Sequence, residues 1–241
     1  MDTALFDYYL PSERIAQEPV RKRDASKLLV VHREERRIEH RRFSDLEEYL
    51  GEDDYLFRNT AKVLPARLFA LRETGGRVEC LLLRPGSDDG LQWWCLLKPG
   101  KKLPAGSTFA LEGIFEATVV AKNEKAEYLV AFRLVNCSSI PELAELCGKM
   151  PLPPYIRRGK EDEHDPEDRS RYQTTYASED RMVAVAAPTA GLHFTPELTE
   201  ALEAKGVTFY DLVLHVGMGT FKPLEADHVE DQVFLMLVLY V

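Results

Sequence analysis

An α/β protein interrupted by a smaller β-rich unit is the fold class this sequence predicts, and three observations carry the prediction. Between Ala66 and Leu134 six short β-prone runs follow one another with little helix between them. Downstream, a well-capped helical stretch, Thr195 to Lys205, lies between two apolar runs, Met182–Ala187 and Val207–Val216. A proline-rich segment, Met150 to Ile156, marks where one texture gives way to the other.

Taken in order, the first sixty residues read as mixed α/β. Lys27 to Val31 is a short apolar strand, and Phe43 to Leu50 a helix with Ser44 as N-cap and Glu47 completing a capping box. The β-rich runs are Ala66–Leu71, Arg77–Leu83, Gln92–Leu97, Thr108–Leu111, Phe115–Ala121 and Glu127–Leu134. Turn signals such as Gly75-Gly76, Asp89-Gly90 and Pro99-Gly100 separate them, which is the spacing of a small barrel or sandwich. A short helix, Pro141 to Cys147, closes the unit. Three prolines in four positions make the Met150–Ile156 segment a stiff, extended connector, followed by an acidic stretch from Glu161 to Asp168. In the later helix Thr195 is the N-cap, Pro196 takes the first helical position, and Gly206 supplies the stop. The sequence shows no internal repeat. The division that follows is discontinuous: residues 1–63 and 151–241 form the main α/β domain, and 64–150 the insert.

With 45% hydrophobic and 29% charged residues, 241 residues can bury the core of one large domain or two small ones. No apolar run reaches the ~20 residues that a membrane span needs. Met1 to Leu10 lacks the basic and apolar regions of a secretory signal, so a cytoplasmic location is expected, with no membrane partner. Cys80, Cys95, Cys137 and Cys147 form no C-x-x-C pair and stand among apolar neighbours, which reads as reduced, buried thiols. A net charge of −9 argues against nucleic acid, yet Arg14 to Arg42 carries +5, leaving −14 for the remainder. Smaller basic knots sit at Lys98, Lys101 and Lys102, and at Arg157, Arg158 and Lys160. Screening limits charge interactions to about 10 Å at 0.1 M salt, so such patches can hold phosphates on an acidic protein. A solvated mixed-charge surface explains them equally well.

Two segments at strand ends could carry chemistry. One is A-A-P-T-A-G-L-H-F-T, Ala186 to Thr195; the other is L-H-V-G-M-G-T-F-K-P, Leu214 to Pro223. Loops at the C-terminal ends of strands are the usual ligand sites of open α/β sheets, and their glycines let backbone N–H groups approach a ligand. The second segment lacks the third glycine of the dinucleotide fingerprint, with Lys222 in its place, which disfavours a Rossmann methyltransferase. His193 and His215 stand 22 residues apart in no metal-binding pattern, so no metal is expected. For either histidine alone, a structural role and a catalytic one weigh the same.

Together these segments are specific. The chain carries F-D-Y-Y-L-P (Phe6–Pro11), I-A-Q-E-P (Ile15–Pro19), R-D-A-S-K-L-L-V (Arg23–Val30) and V-L-P-A-R-L (Val63–Leu68). It continues with L-L-K-P-G-K-K-L (Leu96–Leu103), M-P-L-P-P-Y-I-R-R (Met150–Arg158), R-Y-Q-T-T-Y-A (Arg171–Ala177) and the two segments above. In this order they resemble the S-adenosylmethionine:tRNA ribosyltransferase-isomerase family of queuosine biosynthesis.

The resemblance implies an α/β domain interrupted by a β-barrel, and a reaction that consumes S-adenosylmethionine as a ribosyl donor. The ribosyl unit is transferred to the aminomethyl group of 7-aminomethyl-7-deazaguanine in tRNA and rearranged to give epoxyqueuosine, with adenine and methionine released. The sulfonium compound is then a co-substrate and no cofactor is expected; the partners are that tRNA and S-adenosylmethionine. Oligomeric state is left open, a monomer being favoured. The chemistry needs a base near the sulfonium and a dry pocket. On this basis His193 and His215 line the pocket, one of them moving a proton. Thr189 to Gly191 and Gly217, Gly219 and Thr220 cradle the donor, and Arg157, Arg171 and Tyr172 contact the tRNA.

The sequence departs from the family pattern twice. An extra Ala61 stands between Thr60 and Lys62 in the stretch before the insert, which leaves the role of Asn59 and Thr60 open. After about Glu230-Asp231 the chain ends in Gln232 to Val241, a β-prone, uncharged tail, where family members continue. The expectation is a C-terminally incomplete domain with an unpaired sheet edge, poor stability and weak activity, or a non-catalytic tRNA-binding remnant.

Overall fold

A computed structural model describes residues 1–158, 165–179, 182–184, 186–215, 226–231 and 238–240. The chain opens with 3-10 turns and a hairpin of β1 (Lys27–His32) and β2 (Arg37–Arg42), antiparallel from Lys27↔Arg42 to His32↔Arg37. A 3-10 helix, Phe43–Glu48, follows. Its cap differs from the one expected: the carboxylate of Asp45 accepts the Arg42 backbone N–H at 2.9 Å, so the element starts one residue before Ser44 and Glu47 plays no part. Short β3 (Tyr55–Asn59) and β4 (Lys62–Val63) lead into the β-rich region.

That region is a closed antiparallel barrel, which settles the choice between barrel and sandwich. Its strands are β5 (Arg67–Leu71), β6 (Arg77–Pro85), β7 (Gln92–Lys98), β8 (Thr108–Leu111), β9 (Phe115–Lys122) and β10 (Tyr128–Leu134). Around the ring they run β10-β7-β6-β5-β8-β9, and β9 pairs back to β10. The alternation read from the sequence is the cause: on β9 Phe115, Ala117 and Val119 point inward while Glu116, Thr118 and Val120 face out. Val78, Cys80 and Leu82 on β6 and Val130 on β10 fill the same interior. Helix α1 (Ile140–Cys147) plugs the barrel with Ile140, Leu143 and Ala144. It begins where the Ser139 hydroxyl accepts the Glu142 N–H at 3.3 Å. All four cysteines are free thiols; Cys80 and Cys95 are buried, Cys137 and Cys147 only partly so. Burial pushes the Cys95 thiol well above its usual pKa, which keeps it an inert core group.

Outside the barrel, strands from opposite ends of the chain meet. Helix α2 (Asp165–Arg171) precedes β11 (Met182–Ala184), which pairs in parallel with β4. Helix α3 (Pro196–Ala204) precedes β12 (Thr208–His215), which pairs in parallel with β3 from Thr208↔Tyr55 to Leu212↔Asn59. Gly206 takes a φ of +90°, the left-handed conformation that ends α3 and turns the chain into β12. The last described strand, β13 (Val238–Tyr240), pairs antiparallel with Val213–His215, giving a sheet of order β13-β12-β3. The edge expected to stand open is therefore occupied at these three positions by the tail; residues 232–237 and 241 lie outside the described residues.

The proline-rich segment, expected as a stiff connector, also takes part in the core. Met150 and Pro151 are buried, and Met150 joins Ala61, Val63 and Val213 in a small core against which Leu152 and Tyr172 pack. A second small core, Leu198, Leu202 and Val207, receives Phe43, Leu46, Phe194 and Phe209. Among the described residues no helix is long and apolar enough to cross a membrane.

Candidate functional site

The N-terminal segment between Gln17 and Ser26 is stitched to residues that follow the barrel. Gln17 donates from Nε2 to the Tyr155 carbonyl at 3.1 Å and accepts the Arg157 N–H at 2.7 Å. Arg158, with Nε and Nη2 2.8 and 2.7 Å from the two Asp168 oxygens, also donates to the Gln17 carbonyl at 2.9 Å. Asp168 is the buried residue of α2, and this bidentate pair compensates its desolvation. Arg171 donates to the carbonyls of Arg21 and Val20 at 3.0 and 2.6 Å. Arg23 returns the favour, donating to the carbonyls of Ser170 and Leu192 at 2.8 and 3.0 Å.

Within this weave sits His193, at the end of the 3-10 helix Thr189–His193. Its ring lies 5.1 Å from that of Phe43, and Phe43 meets Phe194 edge-on at 5.1 Å. Nδ1 is 3.0 Å from the Ser26 hydroxyl oxygen. Ser26 has one hydroxyl proton, which it donates to the Arg23 carbonyl at 2.9 Å. It can therefore only accept from the imidazole, which places the ring proton on Nδ1 and the lone pair on Nε2. Among the described residues no side chain other than that of Ser26 is hydrogen-bonded to the ring. Burial, aided by the Arg23 charge, holds the His193 pKa below its usual value, although a hydrogen bond to the Arg23 backbone opposes the shift. The neutral ring is thus favoured, the form that can take up a proton.

The neighbouring backbone is tightly specified. A Cβ on Gly191 would lie 2.0 Å from the Tyr176 hydroxyl and 2.9 Å from Thr174 Cγ2, so only glycine passes here. Thr174 Oγ1 is buried beside it without a hydrogen-bond partner among the described residues. Thr195 accepts the Leu198 N–H at 3.2 Å as the cap of α3 and lies 3.4 Å from the buried Asp24 carboxylate, which Lys22 neutralises at 3.0 Å. Across the sheet, Asn59 clasps Leu214: its amide donates to the Leu214 carbonyl at 3.1 Å and accepts the Leu214 N–H at 2.9 Å. Thr60 donates from its hydroxyl to the Leu212 carbonyl at 3.2 Å. The two residues whose role was open therefore fix β12 immediately before His215, and Ala61 is buried behind them.

The expected site residues are not all brought to one place. Thr189 is exposed on the turn that carries Gly191 and His193. His215 closes β12 with its backbone, and its side chain is outside the description; Gly217, Gly219 and Thr220 lie outside the described residues altogether, as does Lys160. Arg157 is exposed and makes no ion pair among the described residues. Arg171 and Tyr172 are employed in the fold, the first as the anchor of residues 20–21, the second against the Met150 core, where burial raises its phenol pKa. Arg23, Ser26 and Asn59 were not foreseen as site residues. The first two stand in the R-D-A-S run, but neither charge nor periodicity assigns such residues a role. Among the described residues no group of three or more His, Cys, Asp or Glu could hold a metal ion.

Comparison with known proteins extends this picture over the whole chain. Residues 3–235 match the family model described as queuosine biosynthesis protein. An S-adenosylmethionine:tRNA ribosyltransferase-isomerase of Thermotoga petrophila is 46% identical over 95% of this chain and 64% of its own length. The protein of the same description from Thermosipho africanus is 46% identical over 94% and 63%, and that from Solibacter usitatus 42% identical over 96% and 68%. A crystal structure of S-adenosylmethionine tRNA ribosyltransferase from Thermotoga maritima is 35% identical over 88% of this chain and 58% of that one, with a TM-score of 0.34. The chain thus spans about 64% of the length of the first of these relatives. It belongs to the queuosine biosynthesis protein family.

Proposed function

We propose that this chain carries the S-adenosylmethionine:tRNA ribosyltransferase-isomerase reaction. The ribosyl moiety of S-adenosylmethionine is transferred to 7-aminomethyl-7-deazaguanine in tRNA and isomerised, giving epoxyqueuosine-tRNA, adenine and methionine. The names of its relatives support the reaction class. One observation carries it to particular atoms: segments far apart in sequence converge on a single imidazole that Ser26 holds at Nδ1 and whose neutral form is favoured. In this reading His193 Nε2 takes the acidic proton next to the sulfonium, and Ser26 holds the ring for it. Phe43 shields the ring, which limits access of water. His215, Gly217, Gly219 and Thr220, together with Thr189 and Gly191, bind the donor. No cofactor is required beyond the co-substrate, and the enzyme acts in the cytoplasm. Residues 1–63 and 151–241 form the α/β main domain, and 64–150 the barrel insert.

The test is adenine release from S-adenosylmethionine with tRNA that does or does not carry the aminomethyl-deazaguanine base. Release that depends on the base supports the reading, and His193→Ala should lower it by roughly 10²–10⁴-fold, the usual worth of a positioned general base. Binding of this tRNA without adenine release would select a non-catalytic tRNA-binding role instead. Methylated product would point to a methyltransferase.

A further inference from the structure

A second site lies where the barrel meets the proline-rich segment. A cavity of about 480 Å³ opens between β5–β7 on one side and Lys149–Leu152, Arg158 and α2 on the other. Arg158 and Asp168 of the weave described above line it too, whereas His193, Ser26, Arg23 and Phe43 do not. Three of the recurrent sequence segments meet in it, through Arg67, Lys98 and Met150, although nothing in the proton-transfer chemistry uses them.

Its electrostatics are opposite to those of the chain. Five lining residues are cationic and three anionic, a formal +2 in a protein of net −9. All three carboxylates are taken: Glu79 by Arg67 at 2.6 Å, Asp168 by Arg158 at 2.7 Å, and Asp165 by Arg169 at 3.2 Å. Arg77, Lys98 and Lys149 are left without an ion pair among the described residues. Beside these cations stand the half-buried Phe69, with the Arg67 guanidinium 5.7 Å from its ring centroid, and Leu152, while Val78 and Met150 are buried. Cations without an ion pair beside a half-buried aromatic ring suit a nucleotide, its phosphate meeting the cations.

We infer that this cavity seats a nucleotide of the RNA substrate, with Arg77, Lys98 and Lys149 each on a phosphate of that nucleotide or its neighbours. The inference rests on the proposed tRNA substrate and adds a positioning site remote from the proton transfer. Such a site fixes the strand's register and takes no part in the chemistry.

The experiment compares the full chain with an Arg77→Ala, Lys98→Ala, Lys149→Ala variant in binding to unmodified tRNA at 50 and 200 mM salt, with AMP as a competitor. Each lost phosphate contact lowers the salt slope by about 0.7–0.9, so the wild type should lose roughly 20- to 40-fold more affinity than the variant over this range. The charge-keeping variant Arg77→Lys, Lys98→Arg, Lys149→Arg should retain binding, which separates charge from folding. Wild-type affinity and slope in the alanine variant, or no tRNA binding by the wild type, overturns the inference. Competition by AMP as strong as by RNA would move the assignment from an RNA strand to a free nucleotide and overturn it in this form. Binding that falls in the variant while the wild type releases no adenine would uphold this site and sink the proposed reaction, so the two failures are distinguishable.

Discussion

The barrel and the structure flanking it are built from the same chain by opposite means. In the barrel most neighbouring strands are close in sequence, each turn returning the chain to its partner, and one continuous core runs from Leu64 through helix α1. In the flanks β3 waits for β12 and β4 for β11, and two small clusters replace the single core. Buried hydrophobic area holds the first together, and side-chain-to-backbone hydrogen bonds from Gln17, Arg23, Asn59 and Arg171 hold the second. Stability and chemistry are thereby separated. The region that binds itself best carries no part of the His193 cluster, and that cluster sits where contacts are long-range and polar.

The sharpest break is expected inside the barrel. Phe115→Ala removes a fully buried ring packed against Phe109 and Phe132, and should cost about 3–5 kcal/mol in a chemical-denaturation series. If the flanks keep their amide protection while the barrel loses it, the two regions unfold as separate units; simultaneous loss would merge them. Asn59→Ala should come next, at about 2–3 kcal/mol, since it removes hydrogen bonds to Leu214 and Ala61 within a buried joint. Its effect should appear in exchange of β12 amides and leave the barrel untouched. Gly191→Ala overpacks the turn against Tyr176 for about 1–3 kcal/mol, and Tyr176→Phe in the same chain should restore part of the loss by removing the atom 2.0 Å from the new Cβ. No rescue would mean that backbone strain, and not the phenol, excludes a side chain there.

The smallest effect is one of pH. The folded pKa of His193 lies below its unfolded value of about 6.5, so below that pH the unfolded chain binds the extra proton first. The stabilisation is complete above pH 6.5 and is lost as pH falls toward the lowered folded pKa. Amides flanking His193 should therefore exchange faster at pH 5.5 than intrinsic rates explain, relative to pH 7.5, and His193→Gln should abolish the difference. A difference of equal size in the variant would place its origin elsewhere.

What could be read in advance follows the same division. The six barrel strands and helices α1 and α3 were legible to within two or three residues, because alternation, turn residues and the cap Thr195 are local signals. Strand β2, R-I-E-H-R-R, was not legible; it is exposed on both faces and owes its strand to hydrogen bonds with β1. Helix α2, D-P-E-D-R-S-R, has no apolar face, and its buried residue is an aspartate that only Arg158 makes tolerable. In the proline-rich segment three prolines signal stiffness but say nothing of what the flanking Met150 touches. At the site, His193 stood out from its motif, whereas the tautomer of its ring depends on Ser26, 167 residues away, and no local pattern encodes that bond.

The parallel pairing of β3 with β12 also sets a timetable. Tyr55 must find Thr208, 153 residues later in the chain. At the usual pace of synthesis, about 5–20 residues per second, that is a wait of roughly 8–30 s. The barrel can close meanwhile, while Tyr55 and Phe57, later stacked on Tyr210, remain on a strand whose partner has not yet left the ribosome. On the nascent polypeptide the earliest exposed aromatic strand is thus among the last to be paired, which makes it the natural point of engagement for chaperones during translation.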